Sequence, residues 1–320
     1  MRAPRAPVFC IALVLTCTAL LAIPQDAPPD VPQSLHVDVR LVNIYATVVD
    51  SNGRYVRGLK KSDFLVEEDG KRQVLAHFDQ NQDTPVSVGI VLDTSGSMRL
   101  KLETATDAID RFVRTIHPDD DVFLMGFDTE TYVLQDFTND RAKLKKALRY
   151  AEPAGGTALY DALEQALDKV KDGANNKRAI LLITDGEDTA SEASFAAVRQ
   201  RIRGSESLLY ALGISPSADF EVPNRIGRFA GRDTVDMNIL RTLAADSGGR
   251  AFPVSEDMMG GKNGQFENIL VQIAEELRNQ FTLAYYPTHP DDGQYHTIRV
   301  STRFGYSVRA RRGYVASLKR

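Results

Sequence analysis

Pro85-Val86-Ser87-Val88-Gly89-Ile90-Val91-Leu92-Asp93-Thr94-Ser95-Gly96-Ser97 decides how the rest of the chain is read. Val86 to Leu92 carries no charge and is rich in β-branched residues, as expected of a strand covered on both faces in a parallel sheet. Its carboxyl end is Asp93. Immediately after the polar stretch, Leu102, Ala105, Ala108, Ile109, Phe112, Val113 and Ile116 recur at helical spacing until His117-Pro118 stops them. Strand, loop and helix therefore follow one another, with the loop at the strand's carboxyl end.

Toward the carboxyl terminus the alternation continues. Strands are predicted at Asp121 to Phe127, Arg178 to Thr184, Ser207 to Ile214 and Arg250 to Val254. Helices are predicted at Arg141 to Tyr150, Leu159 to Val170, Phe195 to Arg203, Met237 to Ala245 and Gln265 to Gln280. Alternating strands and helices imply an α/β fold with a doubly wound, mostly parallel sheet flanked by helices, here over residues 85–280.

Both flanks read differently. Val37, Val39 and Leu41 alternate with polar residues, and Ile44 to Val49 is β-branched and apolar. Asn52-Gly53 reads as a tight turn, and Asp69-Gly70 as the turn of a hairpin between Phe64-Leu65-Val66-Glu67-Glu68 and Gln73-Val74-Leu75. Short β-rich runs return at Phe281 to Tyr286, Tyr295 to Thr302 and Tyr306 to Arg311. Each flank alone is too small to bury much surface. Residues 35–80 and 281–316 are therefore expected to form one small all-β sandwich-like module, into which the α/β domain is inserted.

The first 27 residues read as an export signal with a proline-rich start to the mature chain. Arg2 and Arg5 precede an apolar run from Val8 to Ile23, and Pro24 to Pro32 breaks it. Cleavage near Ala22 or Ala27 is expected, with an uncleaved anchor as the alternative route to a membrane. An exported protein, in the periplasm, at the cell surface or outside the cell, follows. Both cysteines, Cys10 and Cys17, lie inside this segment, so the mature chain has no disulfide to draw on. With 43% apolar residues, the 320-residue chain can stabilise itself by packing. Removing Arg2 and Arg5 takes the formal charge from −4 to −6, and no basic stripe suited to phosphates is present, which argues against nucleic acid as a partner.

Open α/β sheets bind ligands beyond the carboxyl ends of their strands, and three such ends here carry hard oxygen donors. Asp93, Ser95 and Ser97 sit on the first loop, where Gly96 permits a tight turn. Thr157 follows Gly155-Gly156 on the second, and Asp185 ends the strand before Gly186 on the third. Two carboxylates and three hydroxyls, with no His or Cys, suit Mg²⁺ first and Mn²⁺ or Ca²⁺ as alternatives, and argue against Zn²⁺ or Cu²⁺. Glu187 and Asp188 read as a solvated loop tip. His36, His77, His117, His289 and His296 are scattered over different elements and read as surface or core residues; Tyr285-Tyr286 and Tyr314 read as cover for a core edge.

These loops resemble the von Willebrand factor A family, whose metal-ion-dependent adhesion site has the form Asp-x-Ser-x-Ser, then Thr, then Asp. All five positions match. The resemblance implies direct coordination by Ser95 and Ser97, direct or water-mediated coordination by Thr157, and largely water-mediated roles for Asp93 and Asp185. It also implies capture of an Asp or Glu side chain of a protein partner, and a carboxyl-terminal helix that shifts with occupancy. Leu59-Lys60-Lys61-Ser62-Asp63-Phe64, Glu68-Asp69-Gly70-Lys71 and Arg311-Arg312-Gly313-Tyr314 resemble the acidobacterial von Willebrand factor A-related domain family. The expected function is thus an exported, non-enzymatic, metal-dependent adhesion or binding module. The competing readings are a self-assembling envelope scaffold with a structural or vestigial metal site, and a metal-dependent hydrolase. The hydrolase is disfavoured because no His stands beside the motif and neither a Gly-x-Ser-x-Gly elbow nor a phosphate loop ending in Gly-Lys-Ser/Thr is present.

Overall fold

Strands β1 (Val42–Val49), β2 (Phe64–Glu68), β3 (Lys71–Gln73) and β4 (Leu75–Asp79) come first among the described residues. The computed structural model describes residues 41–80, 84–215, 236–255, 265–289 and 291–316. The expected signal segment and the residues before Leu41 lie outside these. Among the described residues, no helix is long and apolar enough to cross a membrane.

The next part alternates: β5 (Val86–Asp93), α1 (Leu102–Thr115), β6 (Asp121–Phe127), β7 (Thr131–Thr138), α2 (Arg141–Leu148), α3 (Leu159–Lys169), β8 (Lys177–Thr184), α4 (Phe195–Gly204), β9 (Leu208–Ser215), α5 (Met237–Ser247), β10 (Arg250–Ser255) and α6 (Gln265–Arg278). The strands form one sheet in the order β10-β9-β8-β5-β6-β7. All neighbours are parallel except β7, which runs antiparallel to β6 at the edge. Every residue of β5 is buried, because its two faces meet different helix layers. Val86, Val88, Ile90 and Leu92 pack with α1, α2 and α6, whereas Val91 packs with α3, α4 and α5. Gly89 leaves room for the Phe123 ring of β6; a Cβ there would lie 2.3 Å from it.

The edge strand β7 was not anticipated. Thr131-Tyr132-Val133-Leu134 has strand-forming residues but no clean alternation, because Val133 and Asp136 are exposed and the other positions half-buried, with no position fully buried. Its partner residues fix the end of β6: the Tyr132 hydroxyl lies 2.6 Å from the Thr94 hydroxyl, just beyond β5.

Strands β11 (Phe281–Tyr285), β12 (Tyr295–Thr302), β13 (Ser307–Arg309) and β14 (Gly313–Val315) follow. They interleave with the first four strands in two four-stranded sheets, ordered β13-β1-β11-β4 and β14-β12-β2-β3. In the first, β1 pairs antiparallel with both β11 and β13; in the second, β12 pairs antiparallel with β2 and β14. Val42, Ile44, Val48, Phe64, Val66, Phe281, Leu283 and Ile298 fill one shared core, each large apolar side chain contributing roughly 1.5–3 kcal/mol by its burial.

The hairpin at Asp69-Gly70 forms, with φ of 47° and 75° at its two central residues, which is the primed turn expected of Asp-Gly. The expected second strand at Gln73-Val74-Leu75 is corrected. Gln73 ends β3 in one sheet and Leu75 begins β4 in the other, with Val74, 86% exposed, at the crossing. The alternation pattern could not show a change of sheet, since each half keeps its own inward face.

Buried polar groups hold the β module against the α/β part. Glu276 of α6 accepts from the Tyr210 hydroxyl of β9 at 2.8 Å and pairs with Arg309 of β13. Gln280 donates to the hydroxyls of Thr47 and Tyr210, 3.3 Å from each. Lys177, at the start of β8, donates to the Leu277 carbonyl; burial lowers its pKa to about 7, against the pull of Asp120 and Glu276.

Candidate functional site

Parallel strands that end together present their following loops on one edge of the sheet, and β5 and β8 are neighbours with Leu92 paired to Ile183. Asp93 and Asp185 thereby emerge side by side. The chain beyond Asp93 turns through a short 3-10 helix at Gly96–Leu100. Its Gly96 amide donates to the Gly155 carbonyl at 3.2 Å, and the Ala154 amide donates to the Thr94 carbonyl at 2.8 Å. These two backbone bonds tie the first loop to the glycine loop that carries Thr157. The Thr189 amide in turn donates to the Thr157 carbonyl at 2.8 Å, and the Thr157 amide donates to the Thr189 hydroxyl at 3.0 Å.

The five expected residues are brought to one place. Ser95 and Ser97 hydroxyls are 3.0 Å apart, and Ser97 donates to Asp185 Oδ1 at 2.7 Å. Asp93 accepts from the Ser95 amide at 2.8 Å on Oδ1 and from the Thr184 hydroxyl at 2.6 Å on Oδ2. Ser95, Gly96, Ser97, Gly155, Gly156, Thr157, Gly186, Glu187 and Thr189 line a cavity of about 150 Å³. Asp93, Ser95, Thr157 and Asp185 are buried and Ser97 is exposed, so the site opens to solvent on the serine side.

Electrostatics set the character of this place. Burial pushes the Asp93 carboxyl up to about 6; the bonds from Thr184 and Ser95 hold it down against that, and the Asp185 charge adds to the rise. Lys101, unremarked in the sequence, puts its ammonium 2.7 Å from Asp185 Oδ2 with only 14% of its side chain exposed. The fold thus already places a cation against this carboxylate. Oxygen-only donors, with two acidic groups behind a small cavity, fit a hard divalent cation and leave no soft ligand for Zn²⁺ or Cu²⁺; the Lys101 ammonium occupies Asp185 in the ion's stead.

A second cluster corrects the reading of the histidines as scattered. The His289 and His296 rings stack at 3.5 Å with 11° between their planes. His296 Nδ1 lies 2.7 Å from Asp69 Oδ2, and its Nε2 lies 3.2 Å from Asp292 Oδ1. Burial disfavours the His296 imidazolium, but its bonds to Asp69 and Asp292 outweigh that and raise its pKa above the usual value. Glu68, buried on β2, accepts from the hydroxyls of Tyr285 and Tyr314 at 2.8 Å each. Tyr285 and Tyr314 are buried and their hydroxyls serve this carboxylate, whereas Tyr286, expected with them to cover a core edge, is 53% exposed.

Residues 88–187 match the von Willebrand factor type A domain family. The chain is 27% identical over 183 residues to an uncharacterised protein of Borreliella burgdorferi, covering 52% of this chain and 53% of that one. It is 24% identical over 161 residues to mouse inter-alpha-trypsin inhibitor heavy chain H2, covering 44% of this chain and 17% of that one. The chain thus spans about half the length of the first relative and about a sixth of the second. Among solved structures, a von Willebrand factor type A protein from Catenulispora acidiphila superposes with a TM-score of 0.50 at 13% identity, over 80% of this chain and 74% of that one. At that identity the likeness speaks to the fold. Taken with the sheet order and the placement of its loops, these matches show a von Willebrand factor type A domain over residues 88–187.

Proposed function

We propose that this protein is an exported binding module that captures an acidic side chain of a protein partner through a divalent cation, Mg²⁺ in first place and Mn²⁺ or Ca²⁺ as alternatives. The observation that carries the reading is that Ser95, Ser97 and Thr157 line one solvent-open cavity at the ends of β5 and β8, with Asp93 and Asp185 bonded directly behind Ser95 and Ser97. Ser95, Ser97 and Thr157 would hold the ion through neutral hydroxyls, with Asp93 and Asp185 supplying charge from behind. A cation so held keeps residual positive charge, with which it attracts a carboxylate from outside.

The protein's own groups prepare this contact. Thr184 and the Ser95 amide occupy both oxygens of Asp93, so that carboxylate is fixed in place and acts on the cavity through its field. Ser97 links Ser95 to Asp185, aligning the two loops. The contact is partly desolvated, so it should outweigh an exposed ion pair, worth about 0–1 kcal/mol. The donors are suited to holding an ion and its ligand, and the module is read as a binder with no reaction assigned. Export rests on the amino-terminal sequence pattern, with Arg2 and Arg5 before an apolar run.

The test is binding of an acidic peptide library to the full chain with Mg²⁺ and with EDTA, in wild type and Ser97→Ala. Binding in Mg²⁺ that EDTA and the substitution both remove is expected; binding indifferent to EDTA overturns the reading.

A further inference from the structure

We propose that His289, Asp292 and His296 form a second cation site, in the β module, suited to a borderline transition ion with Zn²⁺ in first place. One ligand atom from each of the three lies within 4.8 Å of the other two. Among the described residues this is the one cluster of three or more His, Cys, Asp or Glu side chains so arranged. Two imidazoles and a carboxylate are the donors that borderline ions prefer, whereas Mg²⁺ and Ca²⁺ favour oxygen alone. Three protein ligands leave a fourth tetrahedral position for water.

Groups around the cluster match what such sites require. A histidine that ligates a metal through one nitrogen usually donates from the other to a carboxylate, which fixes its tautomer and orientation. His296 has that partner: its Nδ1 is 2.7 Å from Asp69 Oδ2, which turns Nε2 toward Asp292. Asp69 is itself anchored, its Oδ1 accepting from the Thr297 amide at 2.8 Å and the Thr297 hydroxyl at 2.9 Å. His289 Nε2 likewise lies 3.3 Å from Glu68 Oε1 and 3.0 Å from the Tyr314 hydroxyl. Each ring thus rests on a carboxylate that is held in turn by other residues.

Glu68, Asp69 and Asp292 lie around the two imidazoles. Both rings cannot direct their in-plane lone pairs at one ion while stacked at 11°, so binding opens the stack.

The position gives the site a consequence. His289 and Asp292 lie on the connection from β11 to β12, which belong to different sheets, and Asp69 lies in the turn after β2. An ion held here ties that crossover to His296 of β12, which Asp69 braces from the β2–β3 turn, and stabilises the module by mass action.

The experiment titrates Zn²⁺, and separately Co²⁺, into the full chain in the presence of millimolar Mg²⁺. One equivalent at micromolar concentration, Co²⁺ visible bands of a tetrahedral nitrogen–oxygen site and a raised unfolding temperature are expected. Asp93→Ala should leave all three unchanged. His289→Gln and His296→Gln should abolish them, and Asp69→Asn should weaken Zn²⁺ roughly ten- to hundredfold. If the histidine variants do not fold, Asp292→Asn on the partly exposed connection decides, with the same loss expected. Wild type without micromolar Zn²⁺ binding, or full Zn²⁺ binding by a folded Asp292→Asn or His289→Gln variant, overturns the proposal.

Discussion

The strand ends of β5 and β8 and the cluster around His296 both gather acidic groups, yet they do so with opposite logic. At the strand ends, neutral hydroxyls and glycine backbone surround two carboxylates, and the fold sets Lys101 against one of them. In the β module, aromatic nitrogens and tyrosine hydroxyls surround three carboxylates, with Glu68 buried beneath. The first arrangement is open to solvent on its serine side and suits a hard ion with an exchangeable ligand. The second braces loops against a sheet. On the two proposals together, one chain carries two kinds of cation chemistry on different elements, and the comparison can be broken at either end.

The largest expected effect comes from removing the charge at the strand ends. Asp185→Ala should weaken Mg²⁺ about a hundredfold or more while leaving the β module's unfolding unchanged, as read by calorimetric titration beside circular dichroism. In the opposite direction, Glu68→Ala removes the acceptor of the buried Tyr285 hydroxyl and should cost about 2 kcal/mol of stability. Urea unfolding measures this, and Mg²⁺ affinity should not follow. If Asp185→Ala and Glu68→Ala each disturb both properties alike, the two regions are not separate.

The two clusters also differed in how visible they were in the sequence. Asp93, Ser95 and Ser97 lie within five consecutive residues, and Thr157 and Asp185 each follow a recognisable strand or glycine loop, so sequence spacing and spatial proximity coincide. The second cluster draws on Glu68, Asp69, Tyr285, His289, Asp292, His296 and Tyr314, from both ends of the chain. Only the pairing of β12 with β2 and β14 brings them together. The spacing His289-x-x-Asp292-x-x-x-His296 is the one local hint, and in a segment of short strands and turns it does not mark a shared face. The parallel strands and their helices were legible because burial on both faces writes long apolar runs. Strand β7 and the crossing at Val74 were not, because half-buried edges and changes of sheet leave no periodic mark. Lys101 was missed for a related reason: a lysine opening a helix reads as solvated until its carboxylate partner is located.

A smaller effect sharpens the role of that lysine. Lys101→Met removes the ammonium that competes for Asp185, so Mg²⁺ should bind about tenfold more tightly, near 1.4 kcal/mol. The same change leaves the buried Asp185 carboxylate with the Ser97 bond but without its ammonium partner, so the ion-free variant should lose about 2 kcal/mol, which Mg²⁺ restores in thermal unfolding.

The smallest effect is pH. Asp93, raised to about 6, binds more protons folded than unfolded between about 4 and 6, so its contribution to ion-free stability falls as pH rises through that window and is flat above it. A cation requires the ionised form, so Mg²⁺ affinity should be full above pH 6 and fall by up to about tenfold per unit below it. Titrations at several pH values read this, and an affinity that rises on acidification contradicts the assignment.

The most direct test of the central claim is calorimetric titration of Mg²⁺ into the EDTA-treated full chain, in wild type and Asp93→Ala, followed by an acidic peptide pool. One ion bound by wild type, none by the variant, and peptide heat only in the presence of Mg²⁺ is the predicted result. A wild-type chain that binds no Mg²⁺, or peptide binding that persists in EDTA, contradicts the account.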